Sequence, residues 1–286
     1  MAAQESHAHN HSIGQKIIAI FDVVLVFLAT FTLIWMTALL PIRPIEWQFL
    51  AYTVMIAFPL FIMLITRRNL REYGLYFKHI RVQWSILLSV FPVVAIQGAA
   101  AGWLLPRFFP HAVIRWEGAL LLSILSIVLL FWTGHILHVK PAIGMVAPCI
   151  LFWLPLAQGS AFLPDRLVSF LWYLLFLGPG EEFLFRGYIQ SRLNAAFGRP
   201  FQFWGVSWGW GLVIASILFG IMHILNPFNP FLGKFDLYIW WGVWTAFGGL
   251  IFGYVREKAM SILPPALLHG LPEAIASLFF GFIGVR

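Results

Sequence analysis

Apolar residues run in long unbroken blocks along this chain, and polar residues are confined to short gaps between them. A run of about 20 mainly apolar residues crosses the hydrocarbon core of a bilayer as a helix. Blocks of that kind fall at 17–40, 48–65, 84–105, 118–138, 143–160, 167–190, 205–225, 238–255 and 262–284. They are continuously apolar rather than alternating, which excludes a transmembrane β-barrel. Short pieces around Pro148, Pro155 and Gly178-Pro179-Gly180 interrupt the pattern, so the count is eight or nine. The predicted architecture is an all-α, polytopic transmembrane bundle of eight or nine spans. It divides into a polar tail at 1–16, N-terminal transmembrane helices at 17–165 and a C-terminal transmembrane core at 166–286.

Composition agrees with burial in lipid. Of 286 residues, 61% are hydrophobic and 10% charged, where a soluble domain carries about 25% charged residues. The apolar run after Lys16 is too long for a signal-peptide core and lacks a clear cleavage site, so it reads as a retained first span. Cys149 is the single cysteine, which rules out an intrachain disulfide and a Cys-based metal site. The net charge of +7 sets orientation rather than marking nucleic-acid binding, because no basic patch is interleaved with aromatics in a polar region. The loop carrying Arg67, Arg68, Arg71, Lys78 and Arg81 is the strongest orientation signal. Placing it in the cytoplasm puts the N-terminus there as well. With nine spans, the loops carrying Lys140, Arg192 with Arg199, and Arg256 with Lys258 fall on the same side. The expected location is the cell membrane, plasma or inner, with a cytoplasmic N-terminus. The 14 tryptophans read as interfacial anchors, and His7, His9 and His11 as chance histidines of a polar tail. The Gly249-x-x-x-Gly253 pair reads as close helix packing.

Against this background three stretches are out of place: Glu181-Glu182-Phe183-Leu184-Phe185-Arg186, Phe219-Gly220-Ile221-Met222-His223, and His269-Gly270-Leu271-Pro272-Glu273. A charged side chain at mid-membrane costs roughly 2.5–3.5 kcal/mol on insertion scales, so such groups face a cavity or each other. The expectation is an intramembrane polar cavity holding an active site. Glu182 and Arg186 are four apart and share a helix face, so they pair. Gly178-Pro179-Gly180 is expected to break the preceding helix, with Glu181 opening a new one. Glu181 lies about 100° round the helix from Glu182, is left unpaired, and suits a general base. Phe219 stands one turn before His223 on one face. His269 and Glu273 are four apart, so the carboxylate meets the imidazole or shares a ligand with it. Three carboxylates against one arginine call for a cation, a proton or a charged imidazole. A divalent metal held by Glu and two His, with an open position for water, satisfies that need. So does a His–Glu pair without metal.

Glu-Glu-x-x-x-Arg, then Phe-x-x-x-His, then a third motif led by His269, in this order on membrane helices, resembles the CPBP family. That family, also called Abi, groups CAAX-type prenyl-protein endopeptidases and bacteriocin-processing proteins. The lead-in to His269 is similar as well: Gly249-x-x-x-Gly253, Ser261-Ile262 and Pro264 stand where the family places such residues. The resemblance covers about 178–275 and implies an intramembrane endopeptidase acting on a membrane-associated protein or peptide. Carried over by position, Glu181 is the base that activates water and His223 helps hold that water or a metal. His269 and Glu273 stabilise the oxyanion or complete a metal site made of Glu181, His223, His269 and Glu273. Glu182, Arg186 and Phe219 support them. The family includes members described as metalloproteases, with zinc the expected cation, and as metal-independent glutamate proteases. One position departs: Glu273 stands where the family usually has Asn. An amide donates to a developing oxyanion, whereas an ionised carboxylate repels it. Glu273 is therefore expected to stay protonated, pair with His269 or bind metal.

Two other readings compete. A catalytically silent membrane partner, a scaffold or immunity protein, keeps the fold without the reaction. A proton-coupled transporter also uses buried Glu and His, but the internal repeat that would favour it is missing. Partners in all cases are the bilayer and a membrane-associated protein or peptide, not nucleic acid. Substrate identity and oligomeric state are not legible.

Overall fold

The computed structural model describes residues 12–76, 78–138 and 163–280. The expected span at 143–160, Lys140, Cys149 and His7, His9 and His11 lie outside the described residues. Long helices occupy the other expected positions: α1, Ile13–Thr37; α2, Pro44–Ile65; α3, Ile80–Phe108; and α4, Trp116–His138. Then come α5, from Leu163 through Phe197; α6, Trp210–Ile224; α7, Ile239–Ala259; and α8, Leu263–Phe280. Five of these, α1 to α5, are long and apolar enough to cross a membrane. Helix α6 is apolar but has only 15 residues. It starts at Trp210 because an antiparallel hairpin, Phe201–Phe203 with Val206–Trp208, takes up the residues before it.

The start of α1 is set by a capping box, in which Ser12 Oγ accepts from the Gln15 amide and Gln15 Oε1 accepts from the Ser12 amide. Helix α2 begins at Pro44, whose fixed φ suits a first helical position and whose missing N–H costs nothing there. The expected break at Gly178-Pro179-Gly180 does not occur. Helix α5 continues through it as Gly178–Glu182, flanked by π-helical stretches at Tyr173–Leu177 and Phe183–Gln190. A proline inside an α-helix clashes with the carbonyl four residues back. The wider π turn just before Pro179 relieves that clash and lets the helix run on.

Helix α5 is the centre of the bundle. Its later residues Phe183, Leu184, Phe185, Tyr188, Ile189 and Leu193 pack in one core with α1, α2 and α6. Its earlier residues Trp172, Tyr173 and Leu177 pack with Ala274 of α8 and Phe49 and Tyr52 of α2. A second core joins α3, α4, the hairpin, α7 and α8. The outer side of α1 presents Ile17, Ile18, Phe21, Leu25 and Leu28, a face suited to lipid.

Two ionic clusters tie the helices together. Asp22 of α1 accepts from Arg68 at 2.5 Å, from Arg192 at 2.7 Å and from the Tyr188 hydroxyl at 3.0 Å. Glu257 of α7 accepts from Gln190, Asn194 and Arg199, each at 2.6 Å. Its neighbour Arg256, expected in a loop, is 1% exposed inside the bundle. It donates to the Glu72 carbonyl and to Ser191 Oγ. Several cations counted as orientation signals are thus structural as well. Arg68, Arg192 and Arg199 are tolerated because acidic partners reach them from other helices, and Arg256 because a carbonyl, a hydroxyl and the neighbouring Glu257 do.

Close approach of α5 and α8 places the third sequence motif beside the first. A Cβ on Gly178 would collide with the Ala266 carbonyl and with Gly270, and one on Gly270 would collide with the Tyr173 carbonyl. Gly270→Ala is expected to destabilise the protein by about 1–3 kcal/mol through overpacking, read as a lowered unfolding midpoint in detergent.

Candidate active site

The site is built on α5, where Glu182 and Arg186 are both fully buried. Arg186 Nη1 donates to Glu182 Oε1 at 3.1 Å, the expected i,i+4 pair. Its Nη2 donates to the Gly249 carbonyl at 2.8 Å. A Cβ at Gly249 would stand 3.0 Å from that nitrogen and 3.3 Å from the Phe219 ring, so this glycine is what admits the guanidinium between α5 and α7. The guanidinium also lies over the Phe219 ring, 4.5 Å from its centroid.

His269 reaches the same carboxylates from α8. Its Nδ1 lies 2.9 Å from Glu182 Oε1 and its Nε2 lies 3.6 Å from Glu181 Oε2. A carboxylate oxygen only accepts, so Nδ1 carries the proton that it donates to Glu182. Nε2 and Glu181 Oε2 are then two potential acceptors facing each other. They are compatible only with a proton on one of them or with a water between them. Phe252 of α7 stacks on the imidazole at 4.9 Å and 13° and fixes its plane.

The expected pairing of His269 with Glu273 is not made. The imidazole is turned onto α5 by its bond to Glu182 and its stacking on Phe252, while Glu273, one turn later, is exposed. Nor is Glu181 unpaired: it is 3% exposed, and its Oε1 accepts from the Tyr52 hydroxyl of α2 at 3.0 Å.

His223 joins this group through Phe219. Its Nδ1 lies 2.9 Å from the Phe219 carbonyl, which accepts, so Nδ1 holds the ring proton and Nε2 of the neutral ring carries the lone pair. Its ring lies 4.6 Å from the Phe219 ring and 5.3 Å from Trp241, and Phe219 in turn lies 5.8 Å from His269. Glu181, Glu182, Arg186 and His269 are therefore in direct contact, His223 is linked to them by an aromatic wall, and Glu273 lies at the exposed edge beside them.

Glu181, His223, His269 and Glu273 are not drawn together as one donor set. Among the described residues, no three His, Cys, Asp or Glu side chains group to hold a metal. His269 Nδ1 is turned to Glu182 and His223 Nδ1 to the Phe219 carbonyl, which leaves Nε2 as the free nitrogen of each ring.

Sequence reasoning missed Tyr52, Phe252 and Trp241. Tyr52 carries a hydroxyl into an apolar span, and that hydroxyl was the one available signal. Phe252 and Trp241 are aromatic among many, and nothing in their spacing distinguishes them.

Residues 162–275 match the family model described as type II CAAX prenyl endopeptidase Rce1-like. No curated protein and no solved structure matches the chain.

Arg186 is the buried cation that Glu182 and its neighbours require. Removing one partner of a buried pair costs about 3–5 kcal/mol, whereas replacing both with apolar groups costs far less. Arg186→Leu is expected to lower the unfolding midpoint sharply, and the double variant Glu182→Leu with Arg186→Leu to recover part of the loss. Thermal unfolding of the three proteins in one detergent reads this directly.

Proposed function

We propose that this protein, whose residues 162–275 match the type II CAAX prenyl endopeptidase Rce1-like model, is an endopeptidase of the CPBP kind that hydrolyses a peptide bond of a membrane-associated protein inside the bilayer. The observation that carries the reading is the contact of His269 with both Glu181 and Glu182 across 87 residues of chain. It joins two of the three polar motifs in one buried constellation. Integral membrane placement follows from five apolar helices of spanning length. We take the bundle to have eight or nine spans, with the N-terminus and the loop carrying Arg67 and Arg71 on the cytoplasmic side of the cell membrane.

In the proposed reaction Glu181 takes a proton from water as the water oxygen attacks the scissile carbonyl carbon. His223, whose Nε2 is an acceptor in the neutral ring, helps hold that water. The carbonyl oxygen becomes an oxyanion, stabilised by a proton on His269 Nε2 and by Glu273 acting as the neutral acid, since an ionised Glu273 would repel it. The tetrahedral intermediate then collapses. The carbon–nitrogen bond breaks, and the proton on Glu181 passes to the leaving amine. Glu182 and Arg186 fix the imidazole. The exposed edge at Glu273 is the side from which substrate enters. No step of this scheme needs a metal, and we propose the glutamate type.

The test is cleavage of a membrane-tethered peptide library, with prenylated and unprenylated members, by the purified full chain in proteoliposomes. Wild type is expected to cut, Glu181→Gln to lose at least about 100-fold, and chelator to leave the rate unchanged. Glu273→Asn is expected to stay within about tenfold of wild type, because the amide supplies the donor that the neutral acid supplies. A folded wild type that cuts nothing would overturn the peptidase reading, and inhibition by chelator reversed by zinc would overturn the glutamate type.

A further inference from the structure

We infer that Tyr52 is a positioning residue for this reaction: its hydroxyl holds Glu181 Oε1 and thereby leaves Oε2 as the oxygen that takes the proton from water. The inference rests on the peptidase reading above. A carboxylate offers two equivalent oxygens, and only fixed partners make one of them the base. Here Oε1 accepts from the Tyr52 hydroxyl at 3.0 Å. Oε2 makes no hydrogen bond among the described residues and faces His269 Nε2 at 3.6 Å. That spacing is too long for a good direct bond and suits a bridging water.

The donor is itself held. The Tyr52 ring meets Trp172 edge-on at 5.3 Å. Opposite it on α5 is Gly180, where a Cβ would stand 3.1 Å from Tyr52 Cδ1 and 3.3 Å from the Tyr52 carbonyl oxygen. The residue immediately before the base therefore has no side chain, and α2 presses against α5 at that point. The phenol stays useful through the reaction. When Oε2 takes the proton, Oε1 becomes the carbonyl oxygen of a neutral acid and still accepts from Tyr52. The hydroxyl thus keeps the carboxyl from rotating while the proton is carried from water to the leaving amine.

Tyr52→Phe in the full chain, reconstituted in proteoliposomes, tests this because it removes the hydroxyl and keeps the ring on Trp172. The expected result is a fall in kcat of roughly 10- to 100-fold, the loss of one hydrogen bond to a charged group. KM should stay within about twofold, and any fall in the unfolding midpoint should be smaller than that of Tyr52→Leu and leave the protein folded at the assay temperature. Tyr52→Leu, which removes ring and hydroxyl, is expected to lower both kcat and the midpoint. If Tyr52→Phe matches wild type in kcat while Glu181→Gln is dead, Tyr52 has no positioning role and the peptidase reading stands. A raised KM at unchanged kcat would make Tyr52 a wall of the substrate site and overturn the inference, and so would a fall in kcat that disappears when rates are referred to the folded fraction. If wild type does not cleave, or Glu181→Gln cleaves as well as wild type, the peptidase reading fails and takes the inference with it.

Discussion

A buried arginine in a bilayer-spanning bundle has to be matched, and the matching of Arg186 organises this protein. Its guanidinium is fully buried and bonds on one side to Glu182 and on the other to the carbonyl of Gly249. The first bond lies within α5, while the second reaches α7 and needs a residue without a side chain at the crossing. Glu182 then passes the constraint on to α8, because the same Oε1 that accepts from Arg186 accepts from His269. Three helices are thus registered by one cation and one carboxylate oxygen. A proton on His269 Nε2 or on Glu181 brings the group close to neutrality. Arg186 offsets Glu182, and that proton offsets Glu181. In low dielectric an unmatched charge in this set would cost several kcal/mol, so the electrostatics that permit folding also place a proton beside the candidate base.

The ionic clusters at Asp22 and Glu257 extend the same logic. Asp22 of α1 gathers Arg68 from the loop after α2 and Arg192 from α5. Glu257 of α7 gathers Gln190, Asn194 and Arg199 from α5 and the segment after it. Both clusters grip α5 at the end of the π stretch that follows the two glutamates and in the turns after it. The apolar faces between helices gain little from contact when lipid tails are the alternative partner. Polar bonds of this kind are correspondingly better at fixing register than the surrounding Leu, Ile and Phe, and they hold the helix that carries the two glutamates where its π stretch gives way to regular helix.

Much of this was legible. Long apolar blocks located the helices, because the hydrocarbon core demands length and apolarity and little else. The Glu182–Arg186 pair followed from helical spacing, and the closeness at Gly249 and Gly253 from the preference for small residues where helices cross. What failed depended on partners from elsewhere in the chain. Spacing alone matches His269 with Glu273, but the ring is taken by Glu182 and Phe252, neither of which is near it in sequence. Spacing leaves Glu181 alone, yet Tyr52 reaches it from 129 residues away. Arg256 read as a loop charge because nothing local marks Ser191 and the Glu72 carbonyl as its acceptors. The meeting of His223 and His269 across Phe219 turned on where α6 begins, and the hairpin before Trp210 sets that start.

The backbone of α5 carries the last part of the argument. In a regular α-helix Glu181 and Glu182 would diverge by about 100°, and a single imidazole would face one or the other. Here they sit on a five-residue α-helical segment between two π stretches, and both carboxylates approach His269. Wide turns of this kind sacrifice regular i→i−4 bonding and are found most often at functional sites. The first accommodates Pro179 and keeps the helix continuous, so the glutamates ride on a rigid element and not on a loop. The glycines at 178 and 180 then let α8 and α2 close in on opposite sides of the same turn, one delivering His269 and the other Tyr52. A sequence that looks like a helix break, Gly-Pro-Gly, is the device that brings three helices within hydrogen-bonding distance of two adjacent carboxylates.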